Sequence, residues 1–288
     1  MSTSSALGEQ REVQLPQGSI SYRERGSGEP IVFVHGLLVN GDLWRKVVPE
    51  LSKDYRCIAP DLPLGSHTKA MNESADLSVY GIAKLIDDFL AALDLHDVTL
   101  VGNDTGGALS QMVVTRHPQR IGRLVLTPCD AFDNFPPRFF KWLLYPAQWD
   151  FGVRLLLAPM RFKAMRNSPT AFGWLSKKGI EPEITASWLE PPRRDAGVRR
   201  DLTKVIRGVD KRYMLETSKR LGEFDRPVLI VWTPEKDFFK WEHAEALAKT
   251  FPDARLERIE DSYTFVPEDQ PERLAKLIAE FARKPVAA

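Results

Sequence analysis

Gly102-Asn103-Asp104-Thr105-Gly106 places one carboxylate between two glycines. An apolar run at 99–101 precedes it, and the helical spacing of Leu109, Met112 and Val113 follows. The expected geometry is strand, sharp turn and helix, with Asp104 at the apex. Aspartate tolerates the positive φ of such an apex better than most residues other than glycine. Small neighbours let strand and helix approach closely. A carboxylate presented this way can attack carbon, move a proton, or bind a ligand amine or hydroxyl.

A nucleophile that forms an ester needs a base to release it, and the chain has five histidines. His35 follows the apolar strand expected at 30–34 and reads as a structural loop residue. His96 precedes the run at 99–101, at the far end of the expected sheet. His117 closes the helix after the turn, and His243 lies on a later helix. His67 lies in the loop leaving the strand expected at 56–59, on the face where open parallel sheets bind ligands. It is therefore the candidate base, against the plainer reading of a loop histidine near the rim.

The elements that must position these groups alternate. Two strands are expected within 12–26, then strand 30–34, helix 43–51, strand 56–59, helix 79–93, the central strand and helix, and strand 123–127. From 131 to 222 the pattern is helical, with many Trp, Phe, Pro and Arg residues. Strand 227–232, helix 241–250, strand 255–259 and helix 271–281 complete the order. Strands alternating with helices predict a mostly parallel sheet covered on both faces. Most aromatics of the 131–222 insertion are expected to fill core, and a few to wall a pocket. The pairs Arg193-Arg194 and Arg199-Arg200 are expected on a solvated helix face.

Composition narrows the class. The 288 residues are 43% hydrophobic and 27% charged, with a formal net charge of +1, so no case arises for nucleic acid or an acidic membrane surface. Cys57 and Cys129 lie in apolar runs and are expected as buried free thiols. No apolar run reaches bilayer-spanning length, and the first nine residues have no apolar signal region. A cytoplasmic enzyme acting on a small molecule, with neither metal nor organic cofactor, is the expectation. The oligomeric state stays open.

In order, the chain carries His35-Gly36, Asp61-x-Pro63, Gly102-x-Asp104-x-Gly106, the helical insertion, and the closing stretch Asp261-Ser262-Tyr263-Thr264-Phe265-Val266-Pro267. With this order it resembles the α/β-hydrolase superfamily over about residues 12–281. The resemblance implies an α/β fold, a mostly parallel doubly wound sheet with a helical cap. The core would comprise 1–130 and 223–288, and the cap 131–222. Aspartate at the elbow is similar to that of haloalkane dehalogenases and epoxide hydrolases. In those families the carboxylate attacks a saturated carbon and a histidine-activated water hydrolyses the ester. The backbone N–H groups of Leu37 and Thr105 would then hold the oxyanion.

Several positions depart from that pattern. Thr264 stands where the histidine is expected, and threonine is no general base near neutral pH. Lys236 stands where a supporting acid is expected, with Asp237 next to it; Asp130 occupies the alternative acid position after the strand at 123–127. Thr105 replaces the tryptophan that binds a leaving halide, so epoxide-like or ester-like carbon–oxygen bonds are favoured over carbon–halogen bonds. The expected site is therefore Asp104 as nucleophile, Asp130 or Asp237 as acid and His67 as base, with Leu37, Thr105 and Thr264 around the substrate. The missing histidine leaves a non-hydrolytic cyclase or lyase, or a small-ligand receptor, as the competing functions.

Overall fold

The computed structural model describes residues 4–168, 171–235 and 238–283. Eight strands make one sheet: β1 Glu9–Leu15, β2 Gly18–Arg25, β3 Pro30–Val34, β4 Arg56–Pro60, β5 Val98–Asp104, β6 Ile121–Cys129, β7 Val228–Trp232 and β8 Ala254–Arg258. Their spatial order is β1-β2-β4-β3-β5-β6-β7-β8. β1 pairs antiparallel with β2, and β2 with β4; all later pairings are parallel. Every residue of β6 and β7 is buried, as expected for continuous apolar strands covered on both faces.

The twelve helices of the described residues follow in chain order. α1 Val48–Leu51, α2 Val79–Ala92 and α3 Thr105–Arg116 belong to the first half. α4 Arg138–Leu144, α5 Asp150–Leu157, α6 Lys163–Arg166, α7 Pro182–Arg194, α8 Ala196–Gly208 and α9 Lys211–Ser218 lie between β6 and β7. α10 Trp241–Thr250, α11 Val266–Asp269 and α12 Pro271–Ala282 complete the set. The single helix expected at 43–51 is instead a short 3-10 turn, Gly41–Trp44, followed by α1. Pro49 fits the first turn of α1 but lacks the N–H needed to continue an earlier helix.

The strand order creates the site. After β3 the chain adds β4 on one side and then returns to add β5 on the other. Loops leaving β3 and β5 therefore diverge, and a crevice opens at their carboxyl ends. Gly102 lies opposite Val34, and Asp104 opposite Cys129, so the ends of β3, β5 and β6 converge there. Gly106 makes this tight packing feasible: a Cβ at that position would come within 2.3 Å of the Val34 carbonyl oxygen.

Long-range polar contacts attach the helices between β6 and β7 to the sheet. The fully buried Asp201 of α8 accepts from the Met71 N–H at 2.6 Å. Asp269 of α11, also buried, accepts from the Ser176 hydroxyl at 2.8 Å and the Lys177 N–H at 2.9 Å. Arg45 donates to Glu268 at 3.0 Å and also reaches Glu181. These bonds join residues 92 to 223 positions apart, so local sequence does not announce them.

Candidate active site

Asp104 ends β5 and immediately precedes α3, with φ 56° and ψ −133°. This left-handed backbone costs of order 1–3 kcal/mol for a residue with a side chain, and it aims the carboxylate away from the sheet. The carboxylate accepts from the backbone N–H groups of Thr105 and Leu37. Gly36 lies against it: a Cβ there would fall 2.2 Å from the Asp104 Oδ2 atom. Glycine at 36 is thus required by the carboxylate itself.

His35 holds this loop. Its Nδ1 lies 2.9 Å from the Gly36 carbonyl, and its Nε2 accepts from the Leu62 N–H at 2.9 Å. Nδ1 is therefore the protonated nitrogen. Burial pushes the ring's pKa down to about 4, so it is a neutral structural group at physiological pH. Asn103 braces the other side. Its amide donates to the Thr127 hydroxyl at 2.8 Å and to the Thr264 carbonyl at 2.8 Å. The sequence reading passed over Asn103; its one signal was a polar side chain at the end of an apolar strand.

A cavity of about 120 Å³ opens above Asp104. Leu37, Leu38, Thr105 and Asp130 line it from the sheet side, and Leu144, Leu156 and Leu175 from the helices after β6. Its walls are otherwise mostly aliphatic and aromatic, and no cationic side chain lines it among the described residues. Asp104 is partly buried at its floor. Desolvation raises its pKa from 3.8 to about 7, and the two N–H donors pull in the opposite direction. The N-terminus of α3 adds a positive partial charge on the same side.

Asp130, one residue beyond β6, shares the cavity. It is buried, and its Oδ1 has no hydrogen-bond partner among the described residues. Burial holds its pKa well above the usual carboxylate range, and the Asp104 charge raises it further. Gln111 of α3 fixes the backbone here, donating to the Asp130 carbonyl at 2.9 Å. Two carboxyl groups so placed each raise the cost of ionising the other.

The remaining candidates are placed differently. His67 does not line the cavity; it is buried, with Nε2 3.3 Å from the Asp201 carboxylate of α8. That contact ties the loop after β4 to α8, so the structure holds the ring expected as a base outside the cavity lining. Thr264 is buried behind Asn103, its hydroxyl without a partner among the described residues, and does not line the cavity either. Asp237 and Lys236 lie outside the described residues. Arg193 and Arg194 are exposed, as expected, but Arg199 and Arg200 have structural work. Arg199 is buried and bonds Asp150 at 2.8 Å, and Arg200 bonds Asp201 at 2.8 Å. Cys57 and Cys129 are buried free thiols, as expected.

A family profile described as alpha/beta hydrolase fold matches residues 29–164. The chain is 32% identical over 234 residues to 2-hydroxy-6-oxo-2,4-heptadienoate hydrolase of Pseudomonas putida, covering 70% of this chain and 79% of that one. The chain belongs to the α/β-hydrolase fold family. This α/β hydrolase is also 25% identical over 280 residues to haloalkane dehalogenase 2 of Mycobacterium tuberculosis, covering 94% of each chain. Among solved structures, a haloalkane dehalogenase from Agrobacterium tumefaciens superposes with a TM-score of 0.79 at 23% identity, covering 98% of this chain and 99% of that one. An epoxide hydrolase superposes with a TM-score of 0.77 at 17% identity, covering 95% and 98%. The α/β-hydrolase fold expected from the motif order is thereby shown, and the chain is a hydrolase-class enzyme.

Proposed function

We propose that this α/β hydrolase opens a carbon–oxygen bond of a small or medium apolar substrate, with an epoxide as the type case, through an ester on Asp104. The observation that carries the reading is an elbow carboxylate at the floor of an apolar cavity, with two N–H donors on it and a second carboxyl on the same wall. One Asp104 oxygen attacks the substrate carbon while the other stays on the N–H groups of Leu37 and Thr105. The carbon–oxygen bond breaks, and its oxygen takes the Asp130 proton. Water then adds to the ester carbonyl and gives a proton to the Asp130 carboxylate. The oxyanion formed remains on the same two N–H groups. Collapse releases the alcohol, which takes the proton from the new carboxyl group. Asp104 is again ionised, Asp130 again protonated, and one water has been added.

Asp130 thus assumes the duty a histidine would have, in agreement with Thr264 at the usual histidine position. A protonated acid beside the nucleophile suits an oxygen leaving group, which needs a proton. A halide does not, and no tryptophan N–H or asparagine amide lines the described cavity to receive one.

The test is incubation with a panel of apolar epoxides, followed by intact-mass and peptide analysis. Turnover to the diol that is lost in Asp104→Ala and falls in Asp130→Asn, together with an adduct on the Asp104 peptide of rapidly quenched wild-type protein, is the expected result. Turnover unchanged in Asp104→Ala overturns the reading. Saturable binding with neither product nor adduct would favour the receptor, and an isomerised product without water uptake the cyclase or lyase.

A further inference from the structure

The helices that roof the cavity show solvent a second apolar face. Trp142 is 79% exposed, Leu155 67%, Phe151 65% and Tyr145 61%. Trp149 and Phe162 are exposed as well. At the end of α4, Trp142 and the capping Tyr145 are three residues apart and share one side, while Leu143 and Leu144 turn into the cavity. On α5, Phe151 and Leu155 share the outer side, while Leu156 and Leu157 turn inward. The outer rings are continuous: Tyr145 and Trp149 have centroids 5.8 Å apart, and Trp149 and Phe151 6.3 Å apart. The sequence expectation of core-filling aromatics holds for Phe135, Phe172 and Trp188, but not for this face.

The same face is basic. Between 138 and 165 the exposed cations are Arg138, Lys141, Arg154, Arg161 and Lys163, against the single acid Asp150. The whole chain carries a formal charge of only +1, so positive charge is concentrated here. Asp150 is already neutralised by Arg154 at 2.6 Å and Arg199 at 2.8 Å. Arg138 and Lys163 carry no ion pair among the described residues. Arg161 stacks over the Phe162 ring at 4.5 Å.

We propose that the outer face of α4–α6 docks on an anionic lipid surface. Exposed Trp, Tyr, Phe and Leu side chains insert at the headgroup boundary, and interleaved Lys and Arg side chains meet the lipid phosphates. A second copy of this chain fits less well. A two-fold interface through this patch would set its cations against the same cations. No helix among the described residues is long and apolar enough to cross a membrane, so the contact is peripheral.

Vesicle flotation tests this without any turnover, so its outcome is separable from that of the hydrolase reading. The full chain is floated with phosphatidylcholine vesicles and with mixed phosphatidylcholine and phosphatidylglycerol vesicles. The wild type should float with the anionic vesicles, about tenfold or more above the neutral ones, and salt should release it. The Trp142→Ser, Phe151→Ser double variant and the Arg138→Glu, Lys163→Glu double variant should each lose about tenfold in bound fraction, with unchanged melting temperatures. Both pairs lie outside the cavity lining. A wild type that stays unbound with anionic vesicles at low salt overturns the proposal. So does a concentration-dependent dimer that Trp142→Ser disperses while no flotation is seen.

Discussion

Replacing Asp104 by asparagine should make the protein more stable, and the gain should grow with pH. The Asp104 carboxyl has a folded-state pKa of about 7 against an ordinary 3.8. A carboxyl whose pKa is raised on folding binds protons more tightly in the native state. Between pH 3.8 and about 7 the native state therefore holds more protons than the unfolded one, and stability falls as pH rises. About three pH units at about 1.4 kcal/mol per unit give a ceiling of about 4 kcal/mol, fully expressed above pH 7. Asparagine cannot ionise and escapes this cost. It offers the Leu37 and Thr105 N–H groups only one acceptor oxygen, which returns about 1 kcal/mol. Solvent reaching the partly buried carboxylate through the cavity lowers the gain further. The expected advantage of Asp104→Asn is thus near zero around pH 4 and about 2–3 kcal/mol at pH 8. Urea unfolding of both proteins at intervals from pH 4 to 8 measures it. Wild-type and variant stabilities that run parallel across this range would refute the desolvated-carboxylate argument. The Asp104→Asn, Asp130→Asn double variant removes the remaining titration of Asp130 and should flatten the profile of the single variant.

Four further outcomes follow from the same geometry. The first-step rate should depend on ionised Asp104, so kcat/KM should fall about tenfold per unit as pH drops below about 7, read from a pH–rate profile. Asp130→Asn should cost about 10²–10⁴ in turnover while leaving the fold intact by circular dichroism, since it removes a proton donor and acceptor but little volume. Gly36→Ala should fold and yet lose activity, because its Cβ would meet the Asp104 carboxylate at 2.2 Å; normal turnover by this variant would contradict the packing. His67→Gln should retain activity within about threefold but lose about 1–3 kcal/mol of stability in urea, because the Asp201 carboxylate loses one of its buried partners.

The elements themselves were legible from sequence. Strands such as β3, β6 and β7 are continuous apolar runs, α2 and α12 repeat their apolar residues at helical spacing, and the glycines around Asp104 mark a turn that few other residues could make. These are local signals, since a strand or helix face is set by residues a few positions apart. Asp104 at the strained apex follows from them, and so does the loop at His35-Gly36. Tertiary structure alone decided how the side chains meet. The parallel pairing of β5 with β6 put Asp130 beside Asp104, and burial there, with the Asp104 charge added to it, raises the Asp130 pKa. His67 had a chemically suitable side chain and a loop at the correct end of a strand, but a carboxylate on α8, 134 residues away, holds it. The aromatics of 138–165 look alike in sequence whether they face core, cavity or solvent. Their direction depends on which side of each helix the sheet occupies, and that contact is made by residues far away along the chain.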